Sequence, residues 1–534
     1  MVRWGSHEVM SGLAVGACVG SLAFVLVTRL NPEVGFVPAG VAVGAVMWLT
    51  WGAVAAGLPL ALVLWLVRRV RRRPPRENLW AVPELTAAAY LLAGVLSRVN
   101  ADLHPEYLSG SGHRVLAQDA VGWLIGAVLA LLVGAAVRRS GGAPRLRVVF
   151  VVVFALLPLV RLTGQPTPPQ SPAQDVPRPL GTPAKSLLVI AVEGLDSELL
   201  ITGTNPTATP TLQGLVETGS WGPLDAFEPY LRWSLWTTLA TGTEPGLHGV
   251  KAHRAWRLPM VYDGPLRLLP WTPQGSRLIL PWWAAKMVEP PTAGVPPLWA
   301  RLRASGVDTR VIGWPGVWPS SDAPERVDSL PEVAGVGSEL AAAIEEGLAD
   351  FPDQRRAIVT AMRRDAAAVA RAVDGLRAGI HDQWLHLETM VVMRENLEPL
   401  RPTHTRERRL RDLSLELLDV QVQALVSAAP PDRLVVVVSP YGMKPPDVWE
   451  RWRRLLGSGA HWRTSPLGCP DGVLLLVGDN VRPGLRFSGA SITDVAPTVC
   501  YLLGLPIVQS MEGRVILDSV QAAWVDDHPL RVVD

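Results

Sequence analysis

The apolar residues of this 534-residue chain are concentrated before residue 165. Hydrophobic residues make up 49% of the sequence. The N-terminal part contains long apolar runs, whereas the remainder alternates short apolar and polar stretches. An apolar run of about 20 residues can cross the hydrocarbon core of a bilayer as a helix. The distribution therefore predicts an all-α transmembrane bundle in front of a separate soluble domain.

Five apolar runs are candidates for membrane spans. They cover residues 9–30, 35–67, 79–99, 115–137 and 148–160. The first run is too long, and its flanks are wrong, for a cleaved signal peptide. We expect about five transmembrane helices within residues 1–163, and the sequence leaves four or six as alternatives.

Arginine-rich loops indicate the orientation of these spans. Residues 68–76 and 138–147 carry clusters of arginine and follow the second and fourth runs. Cytoplasmic loops carry the Lys/Arg excess in membrane proteins. With five spans, the chain is an integral, multi-pass membrane protein whose large domain is extracytoplasmic. Four spans would leave that domain in the cytoplasm.

Residues 164–184 form a Pro-rich segment that we predict to be an extended, semi-rigid linker. From residue 185 to 534 the pattern alternates strands and helices, which predicts an α/β domain with a mainly parallel sheet sandwiched by helices. Predicted strands cover residues 187–192, 309–314, 383–387, 434–439 and 472–478. Residues 250–290, rich in Trp, Pro and Arg, break the alternation, and we interpret them as an insertion over the sheet.

Glu193 follows the first predicted strand directly. Ligands of open α/β sheets bind at the carboxyl ends of parallel strands. Glu193 is therefore a candidate metal ligand or general base. The alternative is a carboxylate that only caps the helix that follows.

Composition removes several classes of function. The net charge of +2 gives no support to a nucleic-acid partner. The sequence lacks a Cys-x-x-Cys pair, which excludes a zinc finger. Cys469 and Cys500 are free to form a disulfide outside the cytoplasm, but their spacing does not establish one.

Several segments of the outer domain resemble one family in the right order. They are VIAVEGLDSELL (189–200), TPTLQGLVETGSWGPL (209–224), WTTLATGTEPGLHGV (236–250), LVVVVSPYGM (434–443) and ITDVAPTVCYLLGLPIVQSMEGRVI (492–516). Together they resemble the type I phosphodiesterase/nucleotide pyrophosphatase branch of the alkaline phosphatase superfamily, over residues 185 to about 517. The resemblance implies an alkaline-phosphatase-like sheet. It also implies two metal ions, commonly zinc, held by Asp and His, and a Ser or Thr nucleophile.

At the first positions of this site, the sequence departs from the family pattern. Glu193 stands where the family has its first metal-binding Asp. Arg232 stands at the nucleophile, and arginine stays protonated in proteins. Ser234 lies two residues away, a shift that would move its hydroxyl away from the metals.

The later positions depart as well. The family's Asp-x-x-x-His pair aligns best with Met390 and Arg394, and its third-strand Asp-His with Pro440-Tyr441. His461 alone matches a family histidine. We expect no metal or other cofactor, with Glu193 and His461 as residual metal candidates and zinc only if the site proves active. The former pocket of the family consists here of Glu193, Arg232, Tyr441 and His461. We assign a catalytic role to none of these residues.

Cationic residues at these positions suggest how the carboxylates that remain are neutralised. We predict a direct ion pair between Glu193 and Arg232. The other residues kept from the family motifs are expected to be structural: Thr237, Thr238, Thr241, Gly242 and His248, with Asp494 as a helix N-cap. Trp314 and Trp318 are expected to pack a loop near the pocket. Trp282 and Trp283 are expected either to meet lipid headgroups or to line a groove.

The sequence thus favours a membrane-anchored, non-catalytic binding or scaffold protein of the cell envelope. We expect the lipid bilayer as a partner, with an anionic or phosphorylated ligand in the pocket and an envelope protein as further candidates. The alternative is an active phosphodiesterase, or a phosphoryl or lipid-headgroup transferase, with a rebuilt site. In a third interpretation the membrane bundle is the working part, and Asp119 is then the residue to inspect.

Overall fold

The chain divides into two compact units in the computed structural model. The structure describes residues 6–71, 81–108, 110–141, 143–162, 176–203, 207–270, 279–330, 336–397, 405–443 and 468–534. The first, called here the helical unit, contains the N-terminal helices together with Arg254–Pro291. The second, called the sheet unit, contains the other described residues from residue 176 onward. Most of the predicted linker, residues 164–175, lies outside the described residues.

Long helices make up most of the helical unit. They are α1 (Ser6–Arg29), α2 (Gly40–Gly52), α3 (Leu58–Arg71), α4 (Val82–Leu103), α5 (Gly110–Arg139) and α6 (Pro144–Leu156). A π-helical turn, Ala53–Gly57, joins α2 to α3 into one continuous rod. Four described segments are long and apolar enough to span a membrane: Glu8–Arg29, Gly40–Val67, Val82–Leu103 and Gly112–Arg139.

The fifth predicted span is a shorter helix. The 13 residues of α6 continue into the six-residue 3-10 helix Leu157–Leu162. At rises of about 1.5 and 2.0 Å per residue, the two pieces together are roughly 32 Å long. That length is close to the roughly 30 Å of a hydrocarbon core. Four described segments meet the length criterion, and the fifth span stays a prediction.

Glycines allow α1 to approach α2 closely. Gly12, Gly16 and Gly20 recur every four residues on one side of α1. A Cβ atom on Gly20 would lie 1.9 Å from the carbonyl oxygen of Trp48, and one on Gly16 would lie 2.5 Å from that of Gly52. Small residues spaced in this way permit the tight backbone packing that holds helices together in a bilayer.

Asp119 on α5 is a buried carboxylate within a predicted span, and it is ion-paired. Arg29 of α1 approaches it at 3.0 Å, and Arg161 of the 3-10 helix at 3.6 Å. Arg29 also donates a hydrogen bond to the carbonyl oxygen of Arg161. The three charges join α1, α5 and the end of α6 into one network.

The Trp- and Pro-rich insertion packs differently from what the sequence predicts. Residues 250–290 were expected to lie over the sheet, but Arg254–Pro291 belongs to the helical unit. A two-stranded antiparallel pair, β3 (Ala255–Arg257) and β4 (Lys286–Val288), closes its ends. Buried Leu258, Val261, Tyr262 and Leu266 join one hydrophobic core with residues of α1 and α2. The correction has a physical reason: these side chains are apolar partners for the helices.

An eight-stranded mixed sheet forms the centre of the sheet unit. Its strands are β1 (Ser186–Val192), β2 (Ser220–Asp225), β5 (Thr309–Ile312), β6 (Asp382–Leu387), β7 (Arg433–Tyr441), β8 (Asp471–Val477), β9 (Leu485–Arg486) and β10 (Ala490–Ser491). The order is β10-β2-β8-β7-β1-β6-β5, with β9 beside β2. All described pairings are parallel except those of β8 with β2 and β7. The two faces of the sheet carry separate hydrophobic cores.

Helices cover both faces of this sheet, as the alternating pattern predicts. They are α7 (Ser197–Gly203), α8 (Pro210–Thr218), α9 (Arg232–Thr241), α10 (Pro245–His248), α11 (Leu298–Ala304), α12 (Ser338–Gly347), α13 (Pro352–Arg377), α14 (Thr389–Leu397), α15 (Thr405–Ala428), α16 (Val495–Leu502) and α17 (Ala522–Asp527). Short 3-10 helices cover Val327–Ser329, Ile492–Asp494 and Leu517–Ser519, and β11 (Ile507–Val508) pairs with β12 (Val532–Val533).

Two smaller expectations are refined by the structure. Cys469 and Cys500 are both buried and are not joined by a disulfide, the bond that the sequence left open. Asp494 does not cap α16 with its own side chain. It forms a capping box with Ser491, whose backbone N–H donates to it at 2.9 Å, and it also accepts from the backbone N–H of Arg514.

Candidate functional site

Three adjacent parallel strands bring the candidate residues to one edge of the sheet. Strand β1 lies between β6 and β7, with Ala191 paired to His386 on one side and Val438 on the other. Glu193 follows β1, and its backbone N–H donates to the carbonyl oxygen of Leu387 at 3.0 Å. Because parallel strands end at the same edge, residues far apart in sequence meet here.

The carboxylate of Glu193 is fully buried and is contacted by three side chains. Arg232, the first residue of α9, places Nη2 2.5 Å from Oε2. His386 of β6 places Nε2 3.1 Å from the same oxygen. Tyr441, at the end of β7, donates its hydroxyl to Oε1 at 2.5 Å. Strands β6 and β7 and helix α9 thus each contribute one contact to the single carboxylate that follows β1.

These contacts fix the charges in the pocket. Burial alone would raise the pKa of Glu193, but Arg232, His386 and Tyr441 outweigh it and lower this pKa to about 2. Burial and the neighbouring Glu193 raise the pKa of Tyr441 well above its ordinary value, so the phenol stays protonated and donates. Burial alone would lower the pKa of Arg232, but the neighbouring Glu193 carboxylate outweighs burial, and the net effect raises this pKa. The pocket therefore holds an ionised carboxylate and a guanidinium throughout the physiological pH range.

A second ion pair ties two strand-end loops together. Arg394 of α14 donates Nη1 to Oδ2 of Asp196 at 2.7 Å and to the carbonyl oxygen of Gly194 at 2.8 Å. Its Nη2 donates to the carbonyl oxygen of Met443 at 3.1 Å. Gly194 and Asp196 follow β1, and Met443 follows β7. Arg394 is thus a cross-link between loops at the same edge of the sheet.

A third arginine reaches the pocket from α13. Arg364 pairs with Glu388 at 3.0 Å and with Asp328 at 2.8 Å. Glu388 follows β6, and its other carboxylate oxygen lies 3.7 Å from Nη2 of Arg232. Asp365 accepts the backbone N–H groups of Glu388 and Thr389 and so holds the start of α14 in place. Of the acids at this edge, Glu193, Asp196 and Glu388 each contact a guanidinium, whereas Asp365 accepts backbone N–H groups.

Most of the residues predicted for the former pocket are brought together. The ion pair between Glu193 and Arg232 is confirmed, and Tyr441 joins the same carboxylate. His461 lies outside the described residues. Met390 is buried in the core between the sheet and the helices rather than in the pocket.

Sequence reasoning missed His386 and Glu388. Glu388 directly follows a predicted strand, which is the rule that selected Glu193, so the signal was present. His386 lies inside the same weak strand, and its position depends on β6 being the neighbour of β1. The order of strands in a sheet cannot be deduced from the local pattern of a single sequence.

The described residues do not fit a two-metal centre. No group of three or more His, Cys, Asp or Glu side chains that could hold a metal ion occurs among them. Zinc in proteins usually takes four ligands, or three and a water. Glu193 and His386 are the nearest donor pair described, and a guanidinium already contacts the carboxylate.

The other family-motif residues have structural contacts. Thr237 and Thr241 donate to backbone carbonyls one turn earlier in α9. Gly242 ends α9 with a φ of 71°, a left-handed conformation that favours glycine. His248 is buried, contacts the Thr238 hydroxyl at 3.1 Å and has a pKa lowered to about 3, chiefly by burial. These contacts agree with the structural roles expected for them.

Ser234 offers no ready nucleophile. Its side chain is fully buried, and its hydroxyl lacks a hydrogen-bond partner among the described residues. A serine needs an adjacent base to act as a nucleophile. The sequence expectation that Ser234 would lie away from the chemistry is consistent with this environment.

A cluster of tryptophans packs beside the pocket. Trp314 and Trp318 each make an edge-to-face contact with Trp299, and Trp314 packs in the same way on Trp236. Trp236 also packs at 4.9 Å, edge to face, on the ring of His386. The predicted role of Trp314 and Trp318 as packing residues near the pocket agrees with these contacts.

Comparison with known proteins identifies the family. No curated protein gives a significant match to the sequence. A putative sulfatase structure from Bacteroides thetaiotaomicron is 11% identical, with a TM-score of 0.42, covering 63% of this chain and 75% of the other. The murine and human structures of ectonucleotide pyrophosphatase/phosphodiesterase 5 are each 13% identical with a TM-score of 0.38. They cover 63% and 64% of this chain and 100% and 99% of their own.

The family model described as type I phosphodiesterase / nucleotide pyrophosphatase matches residues 187–467, which is more than half of the chain. The matched range contains β1, α9, β6 and β7, the elements that form the pocket. The chain therefore belongs to the type I phosphodiesterase / nucleotide pyrophosphatase family, within the alkaline phosphatase superfamily.

Proposed function

We propose that this protein is a membrane-anchored, non-catalytic member of its family that works by binding, as a scaffold or sensor of the cell envelope. One observation carries the proposal. The carboxylate at the family's first metal-binding position, Glu193, is already contacted by Arg232, His386 and Tyr441. A metal ion bound to this carboxylate would have to displace those contacts.

Electrostatics support this proposal. At an effective dielectric constant of about 20, two unit charges about 4 Å apart interact by about 4 kcal/mol. A zinc ion bound to Glu193 would lie beside the Arg232 guanidinium, and the repulsion between these two cations would oppose its binding. The resemblance also puts Arg232 at the nucleophile position, so the same side chain opposes the metal and removes the attacking group.

The ligand we propose for the pocket is anionic or phosphorylated. The side chain of Arg232 is 30% exposed, so part of it remains within reach of a ligand. Its Nε is buried and has no hydrogen-bond partner among the described residues, so a ligand would meet the exposed remainder of the side chain. A phosphate or carboxylate would accept charge-assisted hydrogen bonds from that exposed part. An envelope protein that presents such a group is the partner class that fits, and zinc or another cofactor is not part of this proposal.

Metal content and turnover test the proposal on the full chain. Purified protein in detergent is incubated with excess zinc, desalted, and analysed for bound metal, and hydrolysis of a generic aryl phosphodiester is then measured. A family member with intact metal ligands serves as the positive control. We expect substoichiometric zinc and no turnover. Stoichiometric zinc together with turnover abolished by a chelator would overturn the proposal.

The side of the membrane is part of the proposal and is tested separately. The arginine-rich loops favour an extracytoplasmic sheet unit. Arg356 is exposed on α13, and the three native cysteines are buried. Arg356→Cys should therefore react with a membrane-impermeant maleimide in intact cells, whereas the parent protein should not. Labelling only after lysis would mean an even number of spans and a cytoplasmic sheet unit.

A second candidate function rests on the contact between His386 and Glu193. A carboxylate 3.1 Å from an imidazole resembles the orienting pair of a general base. An active phosphodiesterase, or a phosphoryl or lipid-headgroup transferase, could use His386 without metal. Metal-independent turnover that Glu193→Gln and His386→Gln both abolish would favour this alternative over the first.

A further inference from the structure

The segment Arg254–Pro291 is built into the helical unit by specific polar contacts. Asn31, just after α1, donates its side-chain amide to the carbonyl oxygen of Leu268 at 2.8 Å. Its side-chain oxygen accepts the backbone N–H groups of Arg267 and Leu268 at 2.7 and 2.9 Å. The hydroxyls of Thr28 and Tyr262 lie 2.8 Å apart. Residues 262–268 of the segment are thus fixed to the end of α1.

Aromatic and backbone contacts continue along α2. Tyr262 stacks on Phe36 and packs edge to face on Phe24 and Trp48. The carbonyl oxygen of Val261 lies only 2.2 Å from where a Cβ of Gly40 would be, so this contact requires glycine. The indole N–H of Trp48 donates to the carbonyl oxygen of Ile279 at 3.1 Å. The segment therefore follows α2 rather than projecting freely.

The outer side of the same segment is unusually apolar. Trp282 is 72% exposed, Met260 65%, Met287 50% and Trp283 48%. Trp283 packs edge to face on Trp51 of α2 at 5.2 Å, with Trp282 6.2 Å further on. Large exposed side chains grouped in this way are uncommon on surfaces that face only water.

This aromatic pair continues directly into the exposed apolar surface of a candidate span. Trp51 belongs to the span Gly40–Val67, and Val54, Leu58 and Leu62 of the same rod are all exposed in the isolated chain. Side chains of this kind on a spanning helix face acyl chains. Tryptophan is enriched where acyl chains give way to headgroups, because its ring is apolar and its N–H is polar.

Basic residues accompany the tryptophans. In the β3–β4 pair, Arg257 lies directly opposite Lys286, and both side chains are exposed. Two like charges opposite each other in an antiparallel pair destabilise it unless an anion lies between or beside them. Lys286 is only three residues after Trp283 in sequence. An anionic phospholipid headgroup supplies the missing charge at the depth where tryptophan is favoured.

We propose that Arg254–Pro291 is an interfacial lipid-binding element of the membrane anchor. Trp282 and Trp283 lie in the headgroup layer, and Arg257 and Lys286 bind the phosphates of anionic phospholipids. The occupant of this surface is the bilayer itself rather than another protein. The element belongs to the family domain by sequence and to the anchor by its contacts.

Depth-dependent quenching on the full chain tests this proposal. Trp282→Cys, which leaves Trp283 in place, is labelled with an environment-sensitive fluorophore and reconstituted into vesicles of phosphatidylethanolamine with some phosphatidylglycerol. Nitroxide groups are placed on the lipid headgroup, high on the acyl chain or near the bilayer centre. Arg356→Cys, exposed on α13, is the matched control. We expect headgroup and shallow nitroxides to quench the label at 282 about threefold or more beyond the control.

Two further outcomes decide against the proposal. In the first, a water-soluble quencher quenches the label at 282 as strongly as it quenches the control label, and lipid nitroxides quench both labels equally weakly. That result would mean that the surface faces water. A label protected from both kinds of quencher would mean that a protein covers it.

The basic pair has its own arm of the experiment. At low salt, vesicles that contain phosphatidylglycerol should give stronger lipid quenching of the label at 282 than vesicles without it. Arg257→Gln/Lys286→Gln should remove that gain. An unchanged gain would refute the role of these two residues.

Discussion

Replacement of Arg232 by methionine tests whether the buried carboxylate of Glu193 depends on this guanidinium. Methionine keeps an apolar stem and removes the charge. The pKa of Glu193 is lowered from 4.5 to about 2, which corresponds to about 3 kcal/mol of folding free energy at neutral pH. Removing one partner of a buried pair typically costs about 3–5 kcal/mol. Because the Arg232 side chain is 30% exposed, we expect the lower end, a loss of about 3 kcal/mol at pH 7.

The pH dependence of this loss is the sharper part of the prediction. In the parent protein Glu193 stays ionised between pH 7 and 4.5, so its contribution to the free energy of unfolding falls only slightly there, as the unfolded chain starts to take up a proton. Without Arg232, burial is expected to raise the pKa of Glu193 above its unfolded value. The folded variant then gains a proton as the pH falls, and its penalty shrinks toward pH 4.5. The destabilisation should therefore be largest at pH 7 and clearly smaller at pH 4.5.

Urea unfolding of the full chain in detergent, followed by tryptophan fluorescence, measures the effect. Trp236, which packs on His386 beside the pocket, is one of the sheet-unit tryptophans that contribute to this signal. The control is Arg355→Met, because its partner Glu345 and its own side chain are 36% and 48% exposed. That exposed pair should contribute at most about 0.5 kcal/mol.

A double variant separates charge from packing. In Glu193→Gln/Arg232→Met both charges are gone, so the double variant should be more stable at pH 7 than Arg232→Met alone. The reasoning is refuted if Arg232→Met matches the control at pH 7, or if its destabilisation is the same at pH 7 and pH 4.5.

Three further changes are expected to have measurable effects. The contribution of ionised Glu193 to the free energy of unfolding is present above pH 4.5 and lost as the pH falls toward 2. The free energies of unfolding of the parent protein and Glu193→Gln, measured by denaturant titration, should therefore converge over that pH window. Arg394→Gln should lower the free energy of unfolding by about 3 kcal/mol because it opens the cross-link between two loops. Arg409→Gln, at a side chain 64% exposed, should change it by less than about 0.5 kcal/mol. Gly20→Ala should lower the melting temperature of the helical unit, measured by circular dichroism in detergent, because its Cβ would lie 1.9 Å from a carbonyl oxygen. Gly264→Ala, with 3.6 Å to its nearest neighbour, should not.

The parts of the fold that sequence predicts well are those with strong local signals. The β-branched run before Glu193 and the run 434–439 are both central strands, β1 and β7, and they are neighbours in the sheet. Apolar runs in the N-terminal part are helices, four of them long enough to span a membrane. Each of these signals depends on residues within one segment, where backbone periodicity and burial act together.

The parts that sequence misses depend on contacts between distant segments. The polar environment of His386 arises because β6 lies next to β1, which no local pattern encodes. The contact between Asn31 and Leu268 joins residues 237 positions apart. A segment rich in Trp and Pro has no periodicity that indicates which unit will bury it, so its sequence does not determine where it packs.

Under the proposed function, the arginines at the sheet edge take the structural place of the metal ions. In a two-metal site the cations hold strand-end loops together through their shared ligands. Here Arg394 binds the loops after β1 and β7, and Arg232 joins α9 to the carboxylate after β1. A guanidinium is a permanent part of the chain, so on this proposal the edge is held together without a metal ion. Binding of a metal to Glu193 would then require the loss of the contact with Arg232 that now joins α9 to the strand end. We therefore propose that the contacts that stabilise this edge of the sheet also oppose the family's two-metal chemistry at this site.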